Sequence, residues 1–151
     1  MTSSDVEGRV KVIIKLEKDE DDYPPADCES LWATLVADGL FRIDNIPFFA
    51  RGIAWGDVVS VSPEDGALYF KEVVRPSGHS TLRLIIYDVE QVPAVLELLS
   101  KWECSSERSH IPGLIAVDVP LTVSMPELKQ FLEEGERQER WGYEEACLGT
   151  A

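Results

Sequence analysis

The sequence predicts an α+β fold: a curved, antiparallel, β-rich N-terminal half, then a strand-helix-strand-helix unit like half of a ferredoxin-like sandwich. Up to about residue 74, short apolar runs alternate with turn-forming residues, which indicates a small curved sheet or partial barrel. Beyond residue 80, apolar residues at helical spacing follow buried strands. No linker divides the 151 residues, so one domain is expected, with residues 1–8 as a disordered tail.

The first strands are predicted from alternation and turn chemistry. Apolar residues at every second position from Val10 to Leu16 predict a half-buried strand. A second strand is expected over residues 29–36, and Asp38-Gly39 predicts a tight hairpin to a third strand at residues 40–43.

The middle of the chain is less regular. Pro47 ends the extended run, and Phe48 and Phe49 follow it, so that in extended chain one ring enters the core while the other meets a second surface. Two turns and two strands complete this half: a turn at 55–57, a strand at 58–61, a turn at 63–66 and a strand at 68–74.

The second half begins with a strand at residues 81–87 and a helix capped by Asp88 that ends near Lys101 or Trp102. Residues 104–112 are expected to form a polar loop, and residues 114–119 a buried strand. A final helix is predicted from Met125, with Ser124 as its cap, through about Glu134. Gly135 is expected to interrupt it, and residues 136–147 to be helical again.

Charge is the largest departure from average composition. Fourteen Lys and Arg residues stand against 28 Asp and Glu residues, for a net charge of −14. Such a field repels phosphate backbones and anionic lipids, so neither nucleic acid nor membrane is expected as a partner. A basic protein, such as a toxin domain, would be attracted.

Two segments concentrate this charge and predict a partner-binding surface. Residues 17–22 hold five acidic residues and one lysine, and residues 127–145 hold seven glutamates. Aromatic side chains often anchor the centre of an interface. The predicted partner-binding residues are Asp19, Glu20, Asp21, Asp22, Phe49, Trp55, Glu133, Glu134 and Glu136. Alternatively, the acidic residues form solvated faces and the aromatic residues lie in the core.

The loop from Arg75 to Arg83 is the densest cluster of polar chemistry, and it contains His79, one of only two histidines. Its hydroxyls, amides and guanidinium groups could hold an anionic small ligand, or His79 could simply satisfy backbone groups in a turn. The alternative ligand-binding set is Arg51, Asp57, Arg75, Ser77, His79, Ser80 and Arg83. Glycine-rich phosphate motifs are absent, and no catalytic residue is assigned.

Cysteine usage and hydropathy place the chain in the cytoplasm. Cys28, Cys104 and Cys147 are odd in number and widely spaced, which argues against disulfides and against a zinc site. No metal and no cofactor are therefore expected. The N-terminus lacks the pattern of a signal peptide, and no apolar run approaches the roughly 20 residues of a membrane helix.

Four segments resemble a bacterial family catalogued as domain of unknown function 4265. They are Glu29 to Ala33, Asn45 to Gly52, Trp55 to Val59 and Arg75 to Arg83. The likeness spans nearly the whole chain, from Val10 to the segment at 144–148. The resemblance implies a bacterial, cytoplasmic protein of one domain and carries no established activity.

Two hypotheses, and a third beside them, follow from the sequence. The first is an acidic binding protein, most concretely an immunity protein that neutralises a cognate bacterial toxin by occluding its active surface. The second is a small enzyme or an anionic small-ligand-binding domain that uses the loop from Arg75 to Arg83. The third is an adaptor for an unrelated cytoplasmic partner.

Overall fold

A closed five-stranded barrel and a four-stranded sheet with two helices make up the computed structural model, which describes residues 9–149. The barrel strands are β1 (Arg9–Lys15), β2 (Cys28–Ala37), β3 (Leu40–Ile43), β4 (Val58–Glu64) and β5 (Ala67–Arg75). The second unit contains β6 (Ser80–Ile86), α1 (Val92–Lys101), β7 (Ser105–Arg108), β8 (Leu114–Val119), α2 (Met125–Arg137) and β9 (Trp141–Cys147). The predicted α+β class is confirmed, while the predicted tail at residues 1–8 lies outside the described residues.

The barrel closes because its first and last strands pair. Successive strands are antiparallel, and β1 lies parallel to β5, with Val12 opposite Leu68. Alternate residues face inward, so that Val12 and Ile14 of β1 pack with Leu31 and Ala33 of β2. Closure leaves no unpaired edge, which a small open sheet would have had to protect.

The second sheet has the strand order β7-β8-β6-β9, and all of its neighbours are antiparallel. With α1 after β6 and α2 after β8, this is the complete βαββαβ arrangement of a ferredoxin-like sandwich. Both helices cover one face of the sheet, where Leu82 and Leu84 of β6 meet Val95 of α1 and Leu128 and Leu132 of α2. Within the described residues, neither helix is long and apolar enough to cross a membrane.

The polar loop predicted at 104–112 contains strand β7, so that part of the prediction is wrong. The sequence Ser105-Ser106-Glu107-Arg108 has no apolar alternation. It is a strand because it pairs with β8 at the sheet's edge, where side chains stay in contact with solvent. The hydrogen-bonding edge of β8, rather than local propensity, sets its conformation.

The predictions for residues 135–147 are also wrong. Gly135 does not interrupt α2, which ends at Arg137, and β9 replaces the second predicted helical stretch. The absent side chain at position 135 makes room for the indole of Trp141, the first residue of β9. Pairing of β9 with β6 overrides the helical tendency of its glutamates.

The face of the second sheet opposite the helices packs against the barrel. Thr81, whose neighbour Leu82 points toward the helices, donates from Oγ1 to the carbonyl of Ile53 at 3.0 Å. The amide of Gly52 donates to the carbonyl of Ala146 in β9 at 2.9 Å. The connection between β3 and β4 thus lies between the two units and positions the residues described next.

Candidate functional site

The segment 47–50 is held by a buried carboxylate from the barrel. Glu29 of β2 is 9% exposed and accepts hydrogen bonds from the amides of Phe48, Phe49 and Ala50, at 2.6, 3.0 and 2.8 Å. Its position two residues before Leu31 places it on the inward face of the strand. Three donors on one carboxylate stabilise the negative charge inside the protein.

Arg83 of β6 holds the same segment from the other side. Its guanidinium donates to the carbonyls of Pro47, Phe49 and Ala50, each at 3.0 Å, and from Nε to Glu144 of β9 at 2.9 Å. The residue is 3% exposed. Segment 47–50 is therefore fixed by a carboxylate on its amides and a guanidinium on its carbonyls.

Arg51 and Arg83, both in the predicted ligand-binding set, line one cavity of about 360 Å³ at the mouth of the barrel. Arg51 is exposed and pairs with the same Glu144 at 2.7 Å. Phe49 and Tyr23 also line this cavity and meet edge to face, with centroids 6.1 Å apart. Burial is the main cause that raises the pKa of Tyr23.

Asp57 and Ser77 tie two turns together. Asp57 is buried and accepts from the amide of Ala54 at 2.9 Å and from the amide of Ser77 at 2.8 Å. The hydroxyl of Ser77 donates to the carbonyl of Trp55 at 2.8 Å. Elsewhere in the predicted set, the hydroxyl of Ser80 accepts from the amide of Gly149, and Arg75 is exposed.

A second cavity, of about 420 Å³, opens where the barrel meets the second sheet. We call it the junction cleft. It is lined by Asp44, Ile46, Trp55, His79, Glu103, Ser105, Glu107, Asp118 and Pro120. Ligand pockets occur preferentially at such junctions between structural units.

His79 and Asp118 form a hydrogen-bonded pair in the junction cleft. Nδ1 of His79 lies 2.9 and 3.0 Å from the two carboxylate oxygens of Asp118. The side chains are 18% and 10% exposed, and the Trp55 ring lies 5.2 Å from the imidazole, centroid to centroid. Burial raises the pKa of Asp118, and the hydrogen bond and charge of His79 act against that rise.

The pairing leaves one imidazole nitrogen available. An ionised Asp118 accepts the proton on Nδ1, which directs the lone pair of the neutral ring to Nε2. No described residue hydrogen-bonds Nε2, and the imidazole lines the cleft. A histidine oriented in this way can accept or donate a proton, which is the geometry of general acid–base catalysis.

Carboxylates dominate the electrostatics of the junction cleft. Asp44, Glu103, Glu107 and Asp118 line it, and His79 is the one basic side chain among the lining residues. Asp44 accepts from Nε of Arg42 at 3.1 Å. Within residues 9–149, no three His, Cys, Asp or Glu side chains are arranged to hold a metal ion. The cleft therefore suits an organic cation better than an anion.

The predicted partner-binding residues lie on separate surfaces. Residues 19–22 are exposed in the connection between β1 and β2, where Asp19 accepts from the amides of Asp21 and Tyr23. Glu133, Glu134 and Glu136 are exposed on α2. Trp55 is 39% exposed at the junction cleft. Glu144, near the end of the second acidic segment, lines the same cavity as Glu17 and Asp19, whereas Glu133, Glu134 and Glu136 do not line it.

Sequence reasoning assigned no role to Glu29, Glu144, Glu103, Glu107 or Asp118. Two of them had a readable signal. Glu29 shares the inward face of its strand with Leu31, and Asp118 is the only charged residue in the buried run Leu114–Val119. A carboxylate among buried positions requires a partner, because an isolated buried charge is costly.

The comparisons with known proteins concern the fold. The sequence model of a family described as "Domain of unknown function (DUF4265)" matches residues 29–143. A solved structure described as a hypothetical protein from Neisseria gonorrhoeae is similar, with a TM-score of 0.72 and 26% identity over 97% of this chain and 98% of that chain. No curated protein matches the sequence.

Proposed function

We propose that this chain, which belongs to the DUF4265 family by the match over residues 29–143, is an acidic binding protein. Its expected partner is a basic protein. Most concretely, this chain is an immunity protein that neutralises a cognate bacterial toxin by covering the toxin's active surface. The observation that carries this proposal is a net charge of −14, with residues 17–22 and five of the seven glutamates at 127–145 exposed.

The acidic segments keep most of their charge. The seven ion pairs found in residues 9–149 include Glu134, Glu144 and Glu145 of the second segment, but they include none of residues 19–22 and neither Glu133 nor Glu136. Carboxylates without a cationic neighbour contribute fully to the long-range field. That field accelerates association with a basic partner and weakens as salt is added.

Aromatic side chains would provide the apolar part of the contact. Trp55 and Tyr23 are 39% and 43% exposed, and Phe49 is half-buried beside Tyr23. Aromatic side chains inside a polar rim are frequent anchors of a protein interface. Electrostatic steering followed by aromatic packing would block a toxin's active surface by occlusion.

The test is a pull-down from the native bacterium with the whole chain as bait, washed at low and then at high salt. The proposal predicts one basic protein that is retained at low salt and released at high salt. The captured protein should be toxic when it is produced alone and harmless when this chain is produced with it. Capture of no basic protein would refute the proposal.

A matched pair of variants tests whether the partner binds a specific acidic surface or responds only to the net charge. Changing residues 19–22 to their amides, as D19N/E20Q/D21N/D22N, removes four charges and keeps the acceptor that Asp19 offers to the local turn. The control E64Q/E72Q/E90Q/E97Q removes four exposed charges outside both acidic segments. Loss of capture in the first variant alone identifies a specific surface. Equal loss in both would mean that only the overall charge matters.

A second candidate function rests on the His79–Asp118 pair. An imidazole that lines a cavity of about 420 Å³, with its Nδ1 held by a buried carboxylate, could serve a small enzyme or a small-ligand-binding domain. The anion predicted for the loop from Arg75 to Arg83 would meet the carboxylates of the junction cleft there. Arg51 and Arg83 line the other cavity.

The variant His79→Ala distinguishes the two candidates. A small molecule that co-purifies with the native chain and is lost from the variant would support the ligand function, and mass spectrometry would identify it. If the variant protects against the partner as well as the native chain does and no small molecule is lost, the ligand function is wrong.

A further inference from the structure

We propose that the junction cleft is the receptor for an arginine side chain of the basic partner. This inference rests on the proposed function and adds the residues and the chemistry of recognition. It places the centre of the interface at the boundary between barrel and sheet, near Trp55 and Asp118.

The cleft has the form of a side-chain receptor. Its volume of about 420 Å³ is ample for one guanidinium group and its stem, and it is lined from both units. Trp55 and Asp44 come from the connection between β3 and β4, whereas Glu107 and Asp118 come from β7 and β8. Because Asp118 and Thr81 are cross-strand partners, Asp118 lies on the sheet face that is turned toward the barrel.

The indole of Trp55 forms one side of the cleft, and neighbouring residues fix its position. The carbonyl of Trp55 accepts from the hydroxyl of Ser77, and the indole lies against His79 at a tilt of 47°. Asp57, two residues later, fixes the same turn through the amides of Ala54 and Ser77. A ring that is already positioned loses little conformational freedom when a ligand packs against it.

Two of the four carboxylates that line the cleft have no cationic partner, whereas Asp44 pairs with Arg42. Glu103 and Glu107 take part in no ion pair or side-chain hydrogen bond found in residues 9–149. Among the described residues, His79 is the only one that hydrogen-bonds the carboxylate of Asp118. An arriving cation would meet an indole face and at least two carboxylates without a competing cation.

Arginine fits this combination better than lysine. A guanidinium is planar, so it can stack on the indole of Trp55 while its edge donates to carboxylates. An ammonium is strongly hydrated and carries no flat face. The proposal therefore predicts discrimination between two side chains of equal charge.

The first test uses three capped pentapeptides, Gly-Gly-Arg-Gly-Gly, Gly-Gly-Lys-Gly-Gly and Gly-Gly-Gln-Gly-Gly, titrated into the whole chain and followed by ¹H–¹⁵N NMR. The arginine peptide should shift the indole resonance of Trp55 and the amides around Asp118. It should bind about tenfold more tightly than the lysine peptide, and the glutamine peptide should not bind. Equal shifts with the arginine and lysine peptides, or shifts spread over the acidic surface, would overturn the proposal.

The second test uses a charge-matched pair of variants. E103Q/E107Q removes two cleft charges and should weaken the arginine peptide about tenfold. E64Q/E72Q removes two exposed charges on the barrel and should leave its binding within twofold. Trp55→Leu, which keeps an apolar side chain but removes the π face, should abolish the preference for arginine over lysine. If E103Q/E107Q binds the arginine peptide within twofold of the native chain, the proposal is overturned.

The pull-down separates failure of this inference from failure of the proposed function. A partner captured by native chain and E64Q/E72Q, but lost by E103Q/E107Q, supports both. A partner captured equally by all three leaves the binding function standing and refutes the cleft as its receptor. Capture of nothing by the native chain refutes the binding function, and the peptide titration then decides the cleft alone.

Discussion

Arg83 and Glu29 show how two buried charges can fix a segment of chain without touching each other. Each charge is compensated by backbone groups of residues 47–50, and Arg83 has Glu144 as well. A buried charge of this kind stabilises the fold only while its partners are present, because an uncompensated charge keeps its desolvation cost.

Replacing Arg83 should therefore be far more damaging than replacing Arg51, although both bind Glu144. Arg83→Met is expected to lower the free energy of unfolding by about 3 kcal/mol or more, since it leaves three carbonyls without their donor. Arg51→Met, at a side chain that is 69% exposed, should cost less than about 1 kcal/mol. Urea denaturation measures both values, and equal losses would contradict the assignment.

Because Cys104 is buried, we expect the protein to lose stability at alkaline pH. Burial is the largest of the causes, with the charges of Asp118 and Glu103, that raise the pKa of its thiol from 9.0 to about 11. The native state thus keeps the proton longer than the unfolded state does. The contribution of this thiol to the free energy of unfolding should hold below pH 9 and decline between pH 9 and 11, by about 2–3 kcal/mol.

The matched comparison is Cys104→Ala, in which this contribution is absent. Tyr23, Tyr143 and Cys147 also have raised pKa values and remain in both proteins. The difference in unfolding free energy between the native chain and the variant should therefore shrink above pH 9. A difference that is constant across this range would show that the thiol is accessible to solvent.

At the scale of an element, α2 illustrates a glycine kept for packing. Within a helix, Gly→Ala ordinarily stabilises by up to about 1 kcal/mol. At Gly135 an added Cβ would overlap the indole of Trp141, whose Nε1 donates to the carbonyl of Leu132 at 3.0 Å. The indole is confined, because Trp141 is 1% exposed and Phe131 packs beside it.

Gly135→Ala should accordingly destabilise the protein, by about 1–3 kcal/mol. The control is Gln130→Ala at an exposed position of the same helix, which should change stability by less than about 0.5 kcal/mol. Thermal unfolding followed by circular dichroism measures both. A more stable Gly135→Ala protein would mean that the Trp141 ring can move away.

Elements with a clear apolar period could be predicted from the sequence, and elements defined by their neighbours could not. Residues 10–16 and 114–119 carry alternating or continuous apolar patterns, and both are strands. β7 is polar throughout, and β9 contains glycine and two glutamates, so only pairing with β8 and β6 makes them strands. The same limit applies to the site, because His79 stands out in the sequence whereas Asp118 joins it only through the β6–β8 register.

At the scale of the whole molecule, contacts between the barrel and the second sheet predict that the two unfold together. Arg83 and Thr81 of the sheet donate hydrogen bonds to carbonyls in the connection between β3 and β4. The amide of Gly52 donates to the carbonyl of Ala146 in β9. Loss of either unit would leave these polar groups unpaired. This expectation tests the sequence-based prediction of one domain.

Native-state hydrogen exchange measures this coupling directly. The slowest amides of β2 in the barrel and of β6 in the sheet should exchange through global unfolding, with the same free energy and the same dependence on denaturant. A barrel that opened at a lower free energy than the sheet would divide the chain into two domains.

The contacts of Glu29 and Arg83 with residues 47–50 also affect how the chain folds as it leaves the ribosome. The five barrel strands emerge first, and Glu29 is then already present to bind the amides of Phe48, Phe49 and Ala50. Arg83 follows later, and Glu144 emerges with the last strand. The carbonyls of Pro47, Phe49 and Ala50 therefore face water until β6 brings Arg83 to them. The guanidinium gains its carboxylate partner only when the last strand has been synthesised.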